Sequence, residues 1–229
     1  MRTVLNEPLV AKRAAGARRA LTVGIAMMLL ALVLSFNPRS LLPAYIILIL
    51  GTVVLHWGGR AVAKWLGKPR IDQSLAKVLK NVNHGYQLYS YVLPADHVIV
   101  GSPGLFVLEA KPHDGNISCR GDKWHRAFNW RHLLRMLSQE SLGNPTKQVN
   151  KEVDQTRRFL TEHLPDANVP ILPLVVFVNP NAHLEVTKPT VPVLHLGDLK
   201  AYLRRAEHGE AIPAQTLQAL LTAFNEHQN

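Results

Sequence analysis

Two stretches near the start of the chain are mostly apolar or small, with no Asp, Glu, Lys or Arg: residues 21–36 and 41–57, the second with His56 at its edge. Neither has a polar face, so neither suits a half-buried helix of a water-soluble fold. Each falls slightly short of the ~20 residues that span a bilayer, but apolar neighbours lengthen both. Asn37-Pro38-Arg39-Ser40 between them is a helix stop and turn. The pattern predicts a transmembrane helical hairpin. After residue 70 the pattern changes to short alternating elements. Leu75, Val78 and Leu79 recur at helical spacing within residues 72–82. Residues 86–93 alternate like a strand. Residues 96–111 read as two apolar strands joined by a Gly101-Ser102-Pro103-Gly104 turn. A strand over 117–124 with Gly121-Asp122 as a turn, a long helix over 145–163 and a buried strand over 171–178 follow. A short strand at 191–196 and helices at 198–205 and 213–226 complete the series. The order predicts an α/β domain with a mixed β-sheet flanked by helices, preceded by the two-helix hairpin.

Charge sharpens this division. The net charge of +10 invites a nucleic-acid reading, but its distribution does not. Residues 1–70 hold ten basic side chains and one acid, Glu7; residues 71–229 are almost balanced, with sixteen basic and fifteen acidic. Lys12, Arg13, Arg18 and Arg19 precede the first apolar run, and Arg60, Lys64, Lys68 and Arg70 follow the second. The connecting loop has only Arg39. By the positive-inside rule both ends lie in the cytoplasm. The expected layout is a basic cytoplasmic tail (1–20), the hairpin (21–57), a basic juxtamembrane segment facing the lipid bilayer (58–70) and a cytoplasmic domain (71–229), all at the inner membrane. A cleavable leader fits poorly, because a second apolar run follows the first at once. One cysteine, Cys119, excludes an intrachain disulfide.

The chemistry concentrates in residues 96–111. Asp96 opens the first strand of the predicted hairpin, and Glu109-Ala110-Lys111 closes the second. Alternation puts Glu109 and Lys111 on one face. Two carboxylates and an amine at one hairpin end are the content of a metal-dependent phosphodiester-cleaving site: oxygen ligands for Mg²⁺ and a cation for the attacking water or the phosphate. Each residue also has a plainer reading. Asp96 can be a polar strand entry, and Lys111 can simply neutralise Glu109 inside an apolar run. The histidines have no paired spacing and no cysteine partners, which reads against zinc. Gly101–Gly104 is a turn and not a phosphate loop. Trp124, His125, Arg126, Phe128, Trp130, Arg131, His132 and Arg135 interleave aromatics with cations. They suit base stacking or a lid packed on the sheet.

Asp96-His97-Val98-Ile99-Val100-Gly101, Gly104-Leu105-Phe106-Val107-Leu108-Glu109-Ala110-Lys111 and Gly115 together resemble the nuclease-related domain (NERD) family of the PD-(D/E)xK nuclease-like superfamily. Upstream, residues 72–79 resemble its opening helix, with Ile71-Asp72 where Gly-Glu is usual. Downstream, Asn144-Pro145-Thr146-Lys147-Gln148 resembles its Asn-Pro-x-x-Gln helix entry. The resemblance covers roughly residues 71–205. It implies a restriction-endonuclease-like fold and a nucleic-acid substrate, with DNA preferred. On the residues and the resemblance together, Asp96, Glu109 and the Ala110 carbonyl are the expected ligands of Mg²⁺ or Mn²⁺. Lys111 is the expected catalytic cation. Asp72 is a further ligand or a plain helix-terminal acid, and Gln148 an orienting group or a solvated helix residue. The expected function is a membrane-anchored, metal-dependent nuclease. The alternative is a nuclease fold retained as a non-catalytic binding or assembly module at the membrane.

Overall fold

A computed structural model describes residues 2–80, 82, 85–127, 141–165, 167–207 and 211–227. The chain divides into two compact units. One is Glu7–Arg70. The other gathers the N-terminal strand with the described residues of Ile71–Asn129 and Leu142–Asn229.

The first unit is a pair of helices, α1 (Glu7–Ser35) and α2 (Leu41–Trp65), joined through a 3₁₀ turn at Pro38–Ser40. The Asn37 side chain accepts a hydrogen bond from the Arg39 amide and so caps that turn. Both helices run well beyond the apolar stretches. The Ala-, Arg- and Lys-rich flanks are strong helix formers, so the expected tail is helical from Glu7 onward. The pair packs through small residues. Val10, Ala17, Gly24 and Ala31 are buried at seven-residue intervals in α1, as are Ala44, Gly51 and Gly58 in α2. A Cβ on Gly24 would stand 2.7 Å from Leu55 Cγ, and one on Gly58 would stand 3.0 Å from the Leu21 amide. Glycine is what lets the backbones approach this closely, and the strict seven-residue period is that of a left-handed supercoil. The large side chains face outward: Leu29, Val33, Phe36, Leu42, Ile46, Ile49 and Trp57 are all more than half exposed. Both helices are long and apolar enough to cross a membrane.

The second unit is built on a six-stranded mixed sheet. In chain order the strands are β1 (Arg2–Leu5), β2 (Gln87–Ser90), β3 (His97–Gly101), β4 (Gly104–Lys111), β5 (Gly115–Arg120), β6 (Lys123–Arg126), β7 (Ile171–Phe177), β8 (Ala182–Thr187) and β9 (Val193–His195). The main sheet has the order β1-β2-β3-β4-β7-β9; β5 is flanked by β6 and β8 in a second, three-stranded sheet. In the main sheet β3 runs antiparallel to β2 and β4, while the β1–β2, β4–β7 and β7–β9 pairs are parallel. Helices α4 (Pro145–His163) and α6 (Ala214–Glu226) cover one face. Their Val149, Val153, Phe159, Leu220 and Phe224 pack on Val98, Val100, Leu105, Val107, Val175 and Phe177. Helices α3 (Ile71–Leu79) and α5 (Leu199–Ala206) cover the other, where Leu75, Leu79, Leu199 and Leu203 meet Ile99, Phe106, Leu108, Leu174 and Val176. The α/β fold with a mixed sheet flanked by helices, preceded by two long apolar helices, is therefore as expected.

Several local expectations are corrected. The strand expected over 86–93 ends at Ser90, because Tyr91 takes a positive φ of 59° and turns the chain. The strand expected over 117–124 is a hairpin, β5–β6, that runs on to Arg126, and its turn is at Gly121 (φ 58°), where the sequence places one. Residues 2–5 form an edge strand, paired residue by residue from Arg2↔Gln87 to Leu5↔Ser90, with Val4 in the core.

Cys119 lies in β5, fully buried, and its thiol donates to the Gly121 carbonyl at 3.0 Å. Burial pushes the thiol pKa up, and the nearby Asp122 carboxylate adds to the rise. Thiolate is the reactive form. The native protein is thus expected to resist thiol reagents at neutral pH and to label stoichiometrically once denatured. Rapid labelling under native conditions would contradict this placement.

Candidate active site

The site forms where β4 leaves the core. Gly104 through Leu108 are buried, Glu109 and Ala110 are partly open, and Lys111 is buried again. The odd positions of β4 face α4: Leu105 and Val107 belong to that core layer, so Glu109 and Lys111 project on the same side. The Lys111 ammonium lies 2.8 Å from Glu109 Oε1 and donates to Gln148 Oε1 at 2.7 Å. Side-chain exposure is 14% for Glu109 and 7% for Lys111, so the pair is largely withdrawn from water.

Asp96 approaches the same place by register. β3 and β4 are paired as far as Val98↔Val107; the same register continued by two residues would set Asp96, just before β3, across from Glu109. On the other edge of β3 the Tyr91 amide donates to the Asp96 carbonyl at 2.8 Å and continues the β2–β3 ladder. Asp96 is half-buried. The expected opposition of His97 also holds. Its Nδ1 is 3.1 Å from Ser90 Oγ, and its ring packs beside Tyr91 at 5.0 Å.

Gln148 owes its position to the entry into α4. The Asn144 side chain accepts from the Lys147 amide and caps the helix, with Pro145 at its first position. The Asn144 amide nitrogen donates to the Asp122 carbonyl at 2.9 Å, tying the cap to the β5–β6 turn. Gly143 sits at φ 61°, and a Cβ there would stand 3.4 Å from the Gln148 side-chain nitrogen, so a glycine leaves the amide room. Asp72 comes from elsewhere. It is buried in the first turn of α3, on the layer opposite α4. The structure thus brings Glu109, Lys111 and Gln148 into direct contact, with Asp96 just before the strand adjacent to β4 and Asp72 in the first turn of α3.

Sequence reasoning missed a second buried ion pair next to these residues. Asp114 accepts from the Arg126 guanidinium, whose Nε also donates to the Asp114 carbonyl at 3.0 Å. The pair joins the segment after β4 to β6. The available signal was Asp114 before Gly115, whose φ of 82° demands glycine. Trp124 donates its indole N–H to Thr146 Oγ1 at 2.8 Å and packs on Phe177. Trp124 and Arg126 of the aromatic–cationic cluster are therefore engaged in packing and pairing. Phe128, Trp130, Arg131, His132 and Arg135 of that cluster lie outside the described residues. Among the described residues, no three His, Cys, Asp or Glu side chains converge as a ready metal cage.

The family model for the nuclease-related domain matches residues 56–178, more than half of the 229-residue chain. The chain belongs to the NERD family. Neither a curated protein nor a solved structure matches it significantly. The NERD match starts near the end of α2, earlier than the residue 71 expected, and stops just after β7, short of the residue 205 expected. It takes in Asp72, Asp96, Glu109, Lys111 and Gln148. Strands β1, β8 and β9 and helices α5 and α6 lie outside the matched residues.

Proposed function

We propose that this NERD protein is a membrane-anchored, metal-dependent phosphodiesterase acting on nucleic acid, with DNA as the preferred substrate. The observation that carries the reading is the Glu109–Lys111–Gln148 contact at the open end of a buried strand, with Asp96 just before the adjacent strand β3. An ion pair kept for packing alone has no need of a glutamine on its cation.

The donor set fits a hard cation. Asp96, Glu109 and the Ala110 backbone carbonyl offer oxygens only, as Mg²⁺ or Mn²⁺ prefers, and Mg²⁺ is commonly held by one or two carboxylates plus water. When bound, the ion would polarise the scissile phosphate and lower the pKa of a water molecule. The chain's own residues do the rest. Gln148 and Glu109 fix the Lys111 ammonium, and Lys111 supplies a preorganised positive charge where the phosphate gains negative charge in the transition state. The α1–α2 pair anchors the protein in the bilayer, and the basic flanks orient the NERD domain to the cytoplasm.

Titration of the full-length chain in detergent with Mg²⁺ and Mn²⁺, followed by calorimetry, tests the metal site. Binding is expected in the intact protein and at least tenfold weaker in Glu109→Gln. No binding by the intact protein, with or without an oligonucleotide, would favour the non-catalytic binding or assembly module. The engagement of Glu109 by Lys111 is compatible with that second reading.

A further inference from the structure

From the outer face of α4 we infer a track for the nucleic-acid backbone that leads away from the Lys111 site; the inference rests on the function proposed above. Lys147, Asn150, Lys151, Asp154, Gln155 and Arg158 line one open concavity of about 370 Å³ along this helix. Their spacing of three, four, seven, eight and eleven residues places all six on one stripe. At 1.5 Å per residue, Lys147 and Lys151 lie about 6 Å apart along the axis, and Arg158 about 10 Å beyond. That length matches about five nucleotides of a duplex strand, which rises about 3.4 Å per nucleotide.

Three features separate this stripe from an ordinary solvated helix face. First, its only acid is already engaged: Asp154 Oδ1 accepts from Arg157 at 3.1 Å. Among the described residues, Lys147, Lys151 and Arg158 have no acidic partner. Second, the two lysines occupy the N-terminal half of α4, and its first turn contains no acid. Cations there oppose the helix dipole, whereas an anion would satisfy both the dipole and the lysines. Third, the stripe starts beside the site. Lys147 adjoins Gln148, whose side chain holds Lys111. Residues 71–229 as a whole are nearly neutral, so the concentration of cations is local. Asn150 and Gln155 can hydrogen-bond phosphate or sugar oxygens between the cations. Contacts of this kind position a strand without reading its sequence.

The test is binding of full-length protein in detergent to a fluorescent 30-base-pair duplex, in EDTA to prevent turnover, between 50 and 200 mM salt. The wild type is compared with Lys147→Gln/Lys151→Gln/Arg158→Gln; all three side chains are exposed, and thermal melting checks the fold. Each lost phosphate contact should lower the slope of log K against log salt by about 0.9, so the triple variant should lose about 2 to 3 from the slope and bind more weakly at every duplex sequence. An unchanged slope and affinity, with a wild type that binds, would overturn the α4 track and leave the proposed activity standing. A wild type that binds no nucleic acid would overturn both. A reduced slope in a protein that cleaves nothing would support the track and remove the catalytic reading.

Discussion

Replacing Lys111 with alanine is expected to abolish metal-dependent cleavage, with a fall in kcat of at least about 10²- to 10³-fold, the scale on which loss of one preorganised transition-state donor acts. The geometry explains the size. The ammonium is held from two sides, by Glu109 at 2.8 Å and Gln148 at 2.7 Å, in a place where water is largely excluded. A charge fixed in that way needs no rearrangement as the reaction proceeds. The same removal leaves Glu109 without its cation, which carries a stability cost. Because Glu109 retains access to solvent, that cost should stay moderate, and Lys111→Ala/Glu109→Gln should recover much of it without recovering activity. Rates and melting curves on the single and double variants separate the two roles. Full activity in Lys111→Ala would leave the ion pair as a packing device. A fall in stability that the double variant reverses together with activity would say the same.

Gly101→Ala is expected to be among the most damaging single-methyl changes in the domain, at about 3 kcal/mol. Gly101 closes the β3–β4 hairpin opposite Gly104. The position its Cβ would take is filled by the edge of the Tyr86 ring. Tyr86 has little freedom to retreat. It is 1% exposed, lies tilted against the Phe106 ring at 6.4 Å and donates its hydroxyl to the Leu203 carbonyl at 3.0 Å. Its burial pushes the phenol pKa up to about 12. The melting temperature of Gly101→Ala should fall by roughly 10 °C. Adding Tyr86→Leu should give a non-additive, smaller loss than the sum of the two single changes. Strict additivity would mean that the ring and the glycine do not contest the same space.

Much of this was legible because it is local. Helix α4 was read at its observed bounds because Asn144-Pro145 is a strong start signal and Val149, Val153 and Phe159-Leu160 mark one apolar face. The β3–β4 hairpin announced itself by two apolar runs around a four-residue turn, and β7 by an unbroken apolar stretch. The contact of Glu109 and Lys111 followed from strand alternation. What escaped depends on distant partners. Four residues such as Arg2–Leu5 carry no strand signal of their own; only β2 makes them a strand. β8 lies between Pro180-Asn181 and Lys188-Pro189, whose turn chemistry masks the alternation of Leu184 and Val186. The place of Asp72 depends on how α3 packs on the sheet, and no spacing rule contains that information.

The strand β1 ties the order of synthesis to the path of the chain. Residues 2–5 precede both apolar helices, and their partner Gln87–Ser90 emerges only after those helices have been translated. Closing this edge spans a loop of more than eighty residues, and the entropy of that closure falls on a single short parallel ladder. Any excursion through a bilayer between Asn6 and Ile71 must also return to the compartment it left, because a chain stranded on the far side would leave Val4 out of the core and β2 with an open edge.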